Sequence, residues 1–186
     1  MASAAPCLPH IDQLNASQDS SFVEAITTLF EAAPPLANAL LAARPFLSYS
    51  ELLNKARFII SELSDADRRI VVNAHPRIGA SKATLSALSL KEQGYTDPTN
   101  ATQPSTVNAN PETNDDQVNE RLAQLNQAYE AKFGFCFVVF VAGRPRSEIV
   151  SVIETRMNNS PKQELETGLE SMLLIAHDRL KKLQGN

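Results

Sequence analysis

The sequence contains no tryptophan, only 6 glycines and only 2 cysteines in 186 residues. Average usage would give roughly 13 glycines, so the composition disfavours a turn-rich all-β sandwich and favours a helical protein. Cys7 and Cys136 are too few and too far apart for a disulfide framework or a metal cage, which fits a reducing compartment. A basic face is missing as well. The net charge of −4 lacks the electrostatic footprint that nucleic-acid binding requires. No apolar run approaches the roughly 18–20 residues that span a bilayer, and the longest is Phe135–Ala142. Met1–His10 lacks the basic start and apolar stretch of a secretory signal, and Leu183-Gln184-Gly185-Asn186 is not a Ser-Lys-Leu type of peroxisomal address. These absences predict a soluble, cytoplasmic protein with no membrane or nucleic-acid partner.

What is present is an ordinary globular balance, 43% apolar and 20% charged, at a length suited to one domain with a real core. Helix punctuation recurs along it. Residues 1–19 read as an N-terminal tail. Ser21 with Glu24 forms a capping-box pattern ahead of Phe22, Ile26, Leu29 and Phe30 on one helical face. Pro34-Pro35 ends that helix, and Pro35 opens a short second one through Ala43. Ser48 with Glu51 caps a third, whose apolar face carries Leu52, Leu53, Ala56, Ile59, Ile60 and Leu63. A fourth runs from Asp65 to about Ala74 and must stop near His75, because the residue before Pro76 is pushed out of helical geometry.

Ser81–Ala87 and Ser89–Gln93 read as short helical pieces, and residues 94–116, rich in Pro, Asn and Thr, as a flexible polar loop. Helical spacing resumes at Asp116 through Val118, Leu122, Leu125 and Tyr129, with Gly134 where a C-terminal cap belongs. Phe135–Ala142 reads as a buried extended segment or a buried helix turn, between which periodicity cannot choose. Ser147 with Glu148 starts another helix to about Met157. Ser160-Pro161 begins the last, with Leu165, Leu169, Met172, Ala176, Leu180 and Leu183 facing the core. The expectation is an all-α, single-domain bundle of about eight helices with one short buried apolar connector.

Three places carry polar groups suited to chemistry. His75-Pro76-Arg77-Ile78-Gly79 holds an imidazole at a helix end, fixed by the following proline, as a proton donor or acceptor needs; equally, His75 could cap a helix C-terminus as a cation. Ser89-Leu90-Lys91-Glu92-Gln93 sets a carboxylate beside a carboxamide, and Ser89 with Glu92 is also an ordinary capping box. Arg179, flanked by His177 and Asp178, is either a functional cation or a solvated charge near a helix C-terminus. A metal site from His75, His177 and Glu92 lacks any supporting ligand motif. Cys136 as nucleophile would sit in an apolar run, where a thiol is protonated and inert.

Taken in order, His75-Pro-Arg-Ile-Gly79, Ser89-x-x-Glu92-Gln93, Leu125-Asn126-x-x-Tyr129-x-x-Lys132-Phe-Gly-Phe135, Phe137-Val138-Val139, Arg156-Met-Asn158 and Arg179-Leu180 resemble the OHCU decarboxylase family, where OHCU is 2-oxo-4-hydroxy-4-carboxy-5-ureidoimidazoline. The resemblance covers the chain from about Phe22 to Leu183. It implies an all-helical homodimer that needs no cofactor or metal and decarboxylates OHCU to (S)-allantoin at the end of uric acid degradation. It further implies catalytic roles for His75, Glu92 and Arg179. Substrate-lining positions fall on Pro76, on Ser89, Leu90, Lys91 and Gln93, and on Phe137, Val138, Val139, Phe140 and Val141, the last stretch partly through its backbone. On this reading His75 carries a proton at neutral pH for the new carbanion centre, Glu92 and Gln93 bind the ureido and ring N–H groups, Glu92 also keeps His75 protonated, and Arg179 grips an anionic or carbonyl oxygen. Two other classes stay open: a non-catalytic helical interaction module on the same scaffold, and a hydrolase of a related cyclic ureide.

Overall fold

A computed structural model of the chain describes residues 8–80, 87–93 and 111–184. The expected helical piece over 81–86, the side chain of Lys91, the polar loop over 94–110 and both chain ends lie outside the described residues. The described residues form nine helices and no strand, as the all-α expectation requires. By its internal contacts the chain divides into two compact units, one of Met1–His75 with Leu165–Asn186, the other of Pro76–Glu164.

The first unit holds α1 (Ile11–Ala16), α2 (Asp19–Phe30), α3 (Pro34–Ala42), α4 (Tyr49–Glu62), α5 (Asp65–Asn73) and most of α9 (Pro161–Leu183). The stretch read as a tail therefore contains a helix, anchored by buried Leu14 and by the Asn15 carboxamide, which exchanges hydrogen bonds with both main-chain groups of Phe46 at 2.7 and 2.9 Å. The Ser21 capping box does not form. Helix α2 starts at Asp19, two residues before Ser21, and its N-cap Gln18 makes no side-chain hydrogen bond to it. The apolar spacing was a sound guide nonetheless, since Phe22, Ile26, Leu29 and Phe30 are all buried. Pro34, not Pro35, is the first residue of α3. Ser48 and Ser64 cap α4 and α5 by accepting from the N–H groups of Glu51 and Asp67, each at 3.1 Å. Helix α3 packs on α2, α4 and α5.

The second unit holds α6 (Ala87–Glu92), α7 (Pro111–Phe133) and α8 (Arg146–Arg156). Helix α7 starts at Pro111, so the end of the stretch read as loop is helical. Ser89 lies inside α6, where its carbonyl accepts from the Gln93 N–H at 3.0 Å, and so it is no N-cap. Helix α8 starts at Arg146, ahead of the expected Ser147. Gly134, at φ +76°, closes α7 by donating its N–H to the Glu130 carbonyl at 2.8 Å. Residues 135–141 then belong to no helix and pair with no strand, which excludes the helix turn that periodicity left open.

Candidate active site

Helix α5 ends as Pro76 requires, and the chain leaves it with the His75 N–H donating to the Val72 carbonyl at 3.3 Å. The imidazole is 5% exposed and hydrogen-bonded to the Phe30 main-chain carbonyl at the end of α2. Burial, together with the positive charge of Arg179, lowers its pKa from 6.5 to about 3. His75 is therefore a neutral imidazole at pH 7. Two readings of the sequence fall with this: His75 neither caps α5 as a cation nor rests as a proton-carrying imidazolium. The cause is environmental, and a reference pKa could not reveal it.

Arg179 is likewise not a solvated charge. It is 1% exposed, and its Nη1 donates to the Thr28 carbonyl and to Glu31 Oε1, both at 3.1 Å. Glu31 is the carboxylate partner of Arg179, and the sequence reading did not single it out. It ends α2 in the left-handed conformation at φ +50°, which costs a non-glycine residue about 1–2 kcal/mol. That turn directs the Glu31 carboxylate to the guanidinium. The only sequence signal was an acid placed directly between a helix and Ala32-Ala33-Pro34-Pro35. The first unit thus brings His75, Arg179, Glu31 and the carbonyls at the end of α2 into one buried polar cluster.

The second unit carries the other predicted positions. Pro76, Leu90 and Glu92 are half-buried, whereas Ser89 and Gln93 are buried at 2% and 6% exposure. In the non-helical segment after Gly134, Phe137, Val138 and Val141 are buried, and Val139 and Phe140 half-buried. Part of its backbone is already committed. The Val138 carbonyl accepts from Arg156 Nη1 at 2.8 Å, and the Phe140 and Val141 carbonyls accept from Arg144 at 2.7 and 3.0 Å.

Arg156 is held in turn by Glu164, which is wholly buried and also accepts from the Tyr129 hydroxyl at 2.5 Å and from Asn159 at 2.7 Å. The Arg156 guanidinium lies 4.6 Å from the centroid of the Phe137 ring, and Tyr129 meets Phe135 and Phe137 edge-on. Sequence reading quoted Tyr129 and Arg156 as motif pieces but gave Glu164 no role; a carboxylate three residues after Pro161 looks like first-turn dipole matching.

An open cleft of about 350 Å³ in this unit is lined by Arg77, Ile78, Gly79, Asn126 and Glu130, and by none of His75, Glu92 or Arg179. Cys136 is buried and its thiol pKa pushed up to about 12 by desolvation and the nearby Glu130 charge, which removes it as a nucleophile at neutral pH. Among the described residues there is no group of three His, Cys, Asp or Glu side chains placed to hold a metal ion, and no helix long and apolar enough to cross a membrane.

Comparison with known proteins bears on this arrangement. A family model described as OHCU decarboxylase matches residues 15–181. The uric acid degradation bifunctional protein of Bacillus sp. (strain TB-90) is 30% identical over 173 residues, which are 93% of this chain and 32% of that protein. The 2-oxo-4-hydroxy-4-carboxy-5-ureidoimidazoline decarboxylase of Haloferax volcanii is 27% identical over 170 residues, 91% of this chain and 93% of that one. The fold is shared with a crystal structure of OHCU decarboxylase in the presence of (S)-allantoin, at a TM-score of 0.63 and 22% identity, covering 91% of this chain and 100% of the other.

Proposed function

The chain belongs to the OHCU decarboxylase family, and on that premise we propose that it removes carbon dioxide from OHCU to give (S)-allantoin, with His75, Glu92 and Arg179 as its catalytic residues. The observation that carries this reading is the buried pairing of a neutral imidazole with a guanidinium in the first unit.

The substrate's own structure fixes what the protein must do. One ring carbon bears both the carboxylate and a hydroxyl, and the next ring carbon is the carbon of a C=N bond. When the carbon–carboxylate bond breaks, its electron pair forms a double bond between the two ring carbons. The C=N pair moves onto nitrogen, which takes a proton from solvent, the one proton that the overall reaction consumes. No pyridoxal or thiamine sink is required for that flow of electrons. A proton must then pass from the hydroxyl to the neighbouring carbon on one face only, leaving a carbonyl and the single stereocentre of (S)-allantoin. His75 can make this transfer despite its low resting pKa, because removing the hydroxyl proton leaves an enolate beside the ring whose negative charge stabilises the imidazolium until the proton is returned to carbon. His75 takes that role as a shuttle, not as a standing acid.

Arg179 offers its planar donors to a substrate oxygen, its Nη1 edge being fixed by Glu31 and the Thr28 carbonyl. Glu92 accepts from ureido or ring N–H groups. Pro76, Ser89, Leu90, Lys91 and Phe137–Val141 line the substrate, and the apolar side chains among them favour departure of a neutral gas from a charged group. A homodimer belongs to the same reading; the exposed Phe58, Ile70 and Leu174 of the first unit supply apolar surface for one.

The test is to generate OHCU in situ and follow carbon dioxide and the circular dichroism of allantoin with and without purified protein. Faster release with one enantiomer accumulating supports the reading. Equal rates favour a non-catalytic scaffold, and ammonia or urea without carbon dioxide favours a ureide hydrolase. His75→Asn should return the product to the racemic background.

A further inference from the structure

Helix α6 has six residues, far too few to be stable by itself, yet it carries Glu92. What ties its end down is the next residue. The Gln93 carboxamide, 6% exposed, bonds at both ends to one turn of the chain: Oε1 accepts from the Gly79 N–H at 3.0 Å, and Nε2 donates to the Arg77 carbonyl at 3.2 Å. The residue between them is held from the other side. Asn126, on α7 and 4% exposed, donates from Nδ2 to the Ile78 carbonyl at 2.9 Å. Two buried carboxamides thus bind three consecutive residues of the turn and link α6 to α7 through it. Gly79 adopts φ +74° there, a conformation that leaves its N–H aimed at Gln93.

We propose that Gln93 is a positioning residue, not a substrate ligand: by clamping α6 to the Arg77–Gly79 turn it sets the place of Glu92. This rests on the reading that Glu92 meets substrate. It also replaces the sequence expectation that Gln93 lines the substrate, because both ends of its carboxamide are committed to the turn. Of the charged groups on the turn, α7 and α6, Arg77 and Glu130 pair with each other, and Glu92 neighbours Gln93 in the chain.

Three measurements on the full-length protein test this. Without substrate, hydrogen exchange at the Gly79 amide should accelerate about tenfold or more in Gln93→Ala, since its acceptor is gone; an unchanged rate overturns the clamp. In decarboxylation assays Gln93→Ala should lower kcat about tenfold or more with KM within about threefold, and the loss should shrink when Glu92→Gln is already present. A KM effect that persists in full on the Glu92→Gln background means direct substrate contact and overturns the proposal. Gln93→Glu provides the third, and serves also where alanine prevents folding. A neutral carboxylic acid repeats both hydrogen bonds, whereas a carboxylate sets an oxygen against the Arg77 carbonyl. Its activity relative to wild type should therefore be low at pH 8 and recover towards pH 5, and absence of recovery overturns the proposal. A wild-type protein that is inactive on OHCU but protects the Gly79 amide fails the proposed function alone.

Discussion

Replacing His75 with asparagine should change how stability depends on pH. In the unfolded chain the imidazole takes up a proton near pH 6.5, whereas in the fold burial and Arg179 hold its pKa at about 3. Above pH 6.5 both states are neutral and the group contributes no pH dependence. Below it the unfolded state binds a proton that the native state refuses, so stability falls as pH falls, and continues to fall until about pH 3. Linkage over that window gives a loss of about 2 kcal/mol at pH 5 and about 3 kcal/mol at pH 4, relative to pH 7. Urea unfolding of wild type and His75→Asn at pH 7 and pH 5 isolates the effect, because contributions from the shared carboxylates cancel between the two proteins. The variant should lose about 2 kcal/mol less than wild type between those pH values. Equal losses would mean that His75 titrates normally in the fold and that its burial beside Arg179 is wrong.

Two further outcomes follow from buried groups. Glu164→Leu leaves the Arg156 charge buried without its carboxylate and should cost about 3–5 kcal/mol in urea unfolding, while a loss below about 1 kcal/mol would show the pair to be dispensable. In a Cys7→Ser background, Cys136 should stay silent to Ellman's reagent at pH 8 until the protein is unfolded; rapid reaction of the native state would contradict its burial and raised pKa.

Apolar spacing carried most of the helical reading, because burying one face of a helix leaves a periodic trace in the sequence. Phe22–Phe30 and Leu165–Leu180 show it. Helix starts were less legible. The Ser48 cap forms and the Ser21 pattern does not, since a serine-to-glutamate spacing also occurs within a helix that has already begun at Asp19. Candidate site residues were nameable by type and order, through the His75, Glu92 and Arg179 motifs. Their chemical states were not. His75 is neutral because residues distant in sequence, Phe30 and Arg179, surround it in the fold. Gln93 and Glu31 acquire their roles from main-chain geometry, two carboxamide bonds to a turn in one case and a left-handed residue in the other, and neither leaves a periodic signal. A side chain that bonds to the backbone of another segment is visible only once the segments have been brought together.

The neutrality of His75 is tested most directly by the pH profile of kcat/KM for (S)-allantoin formation, which reports ionisations of the free enzyme. With the imidazole held at a pKa of about 3, kcat/KM should stay within about twofold from pH 8 to pH 5. A limb near pH 6.5 in either direction would contradict the account: a rise with acid would mean that the imidazolium is the working form, and a fall would mean a base with an ordinary pKa.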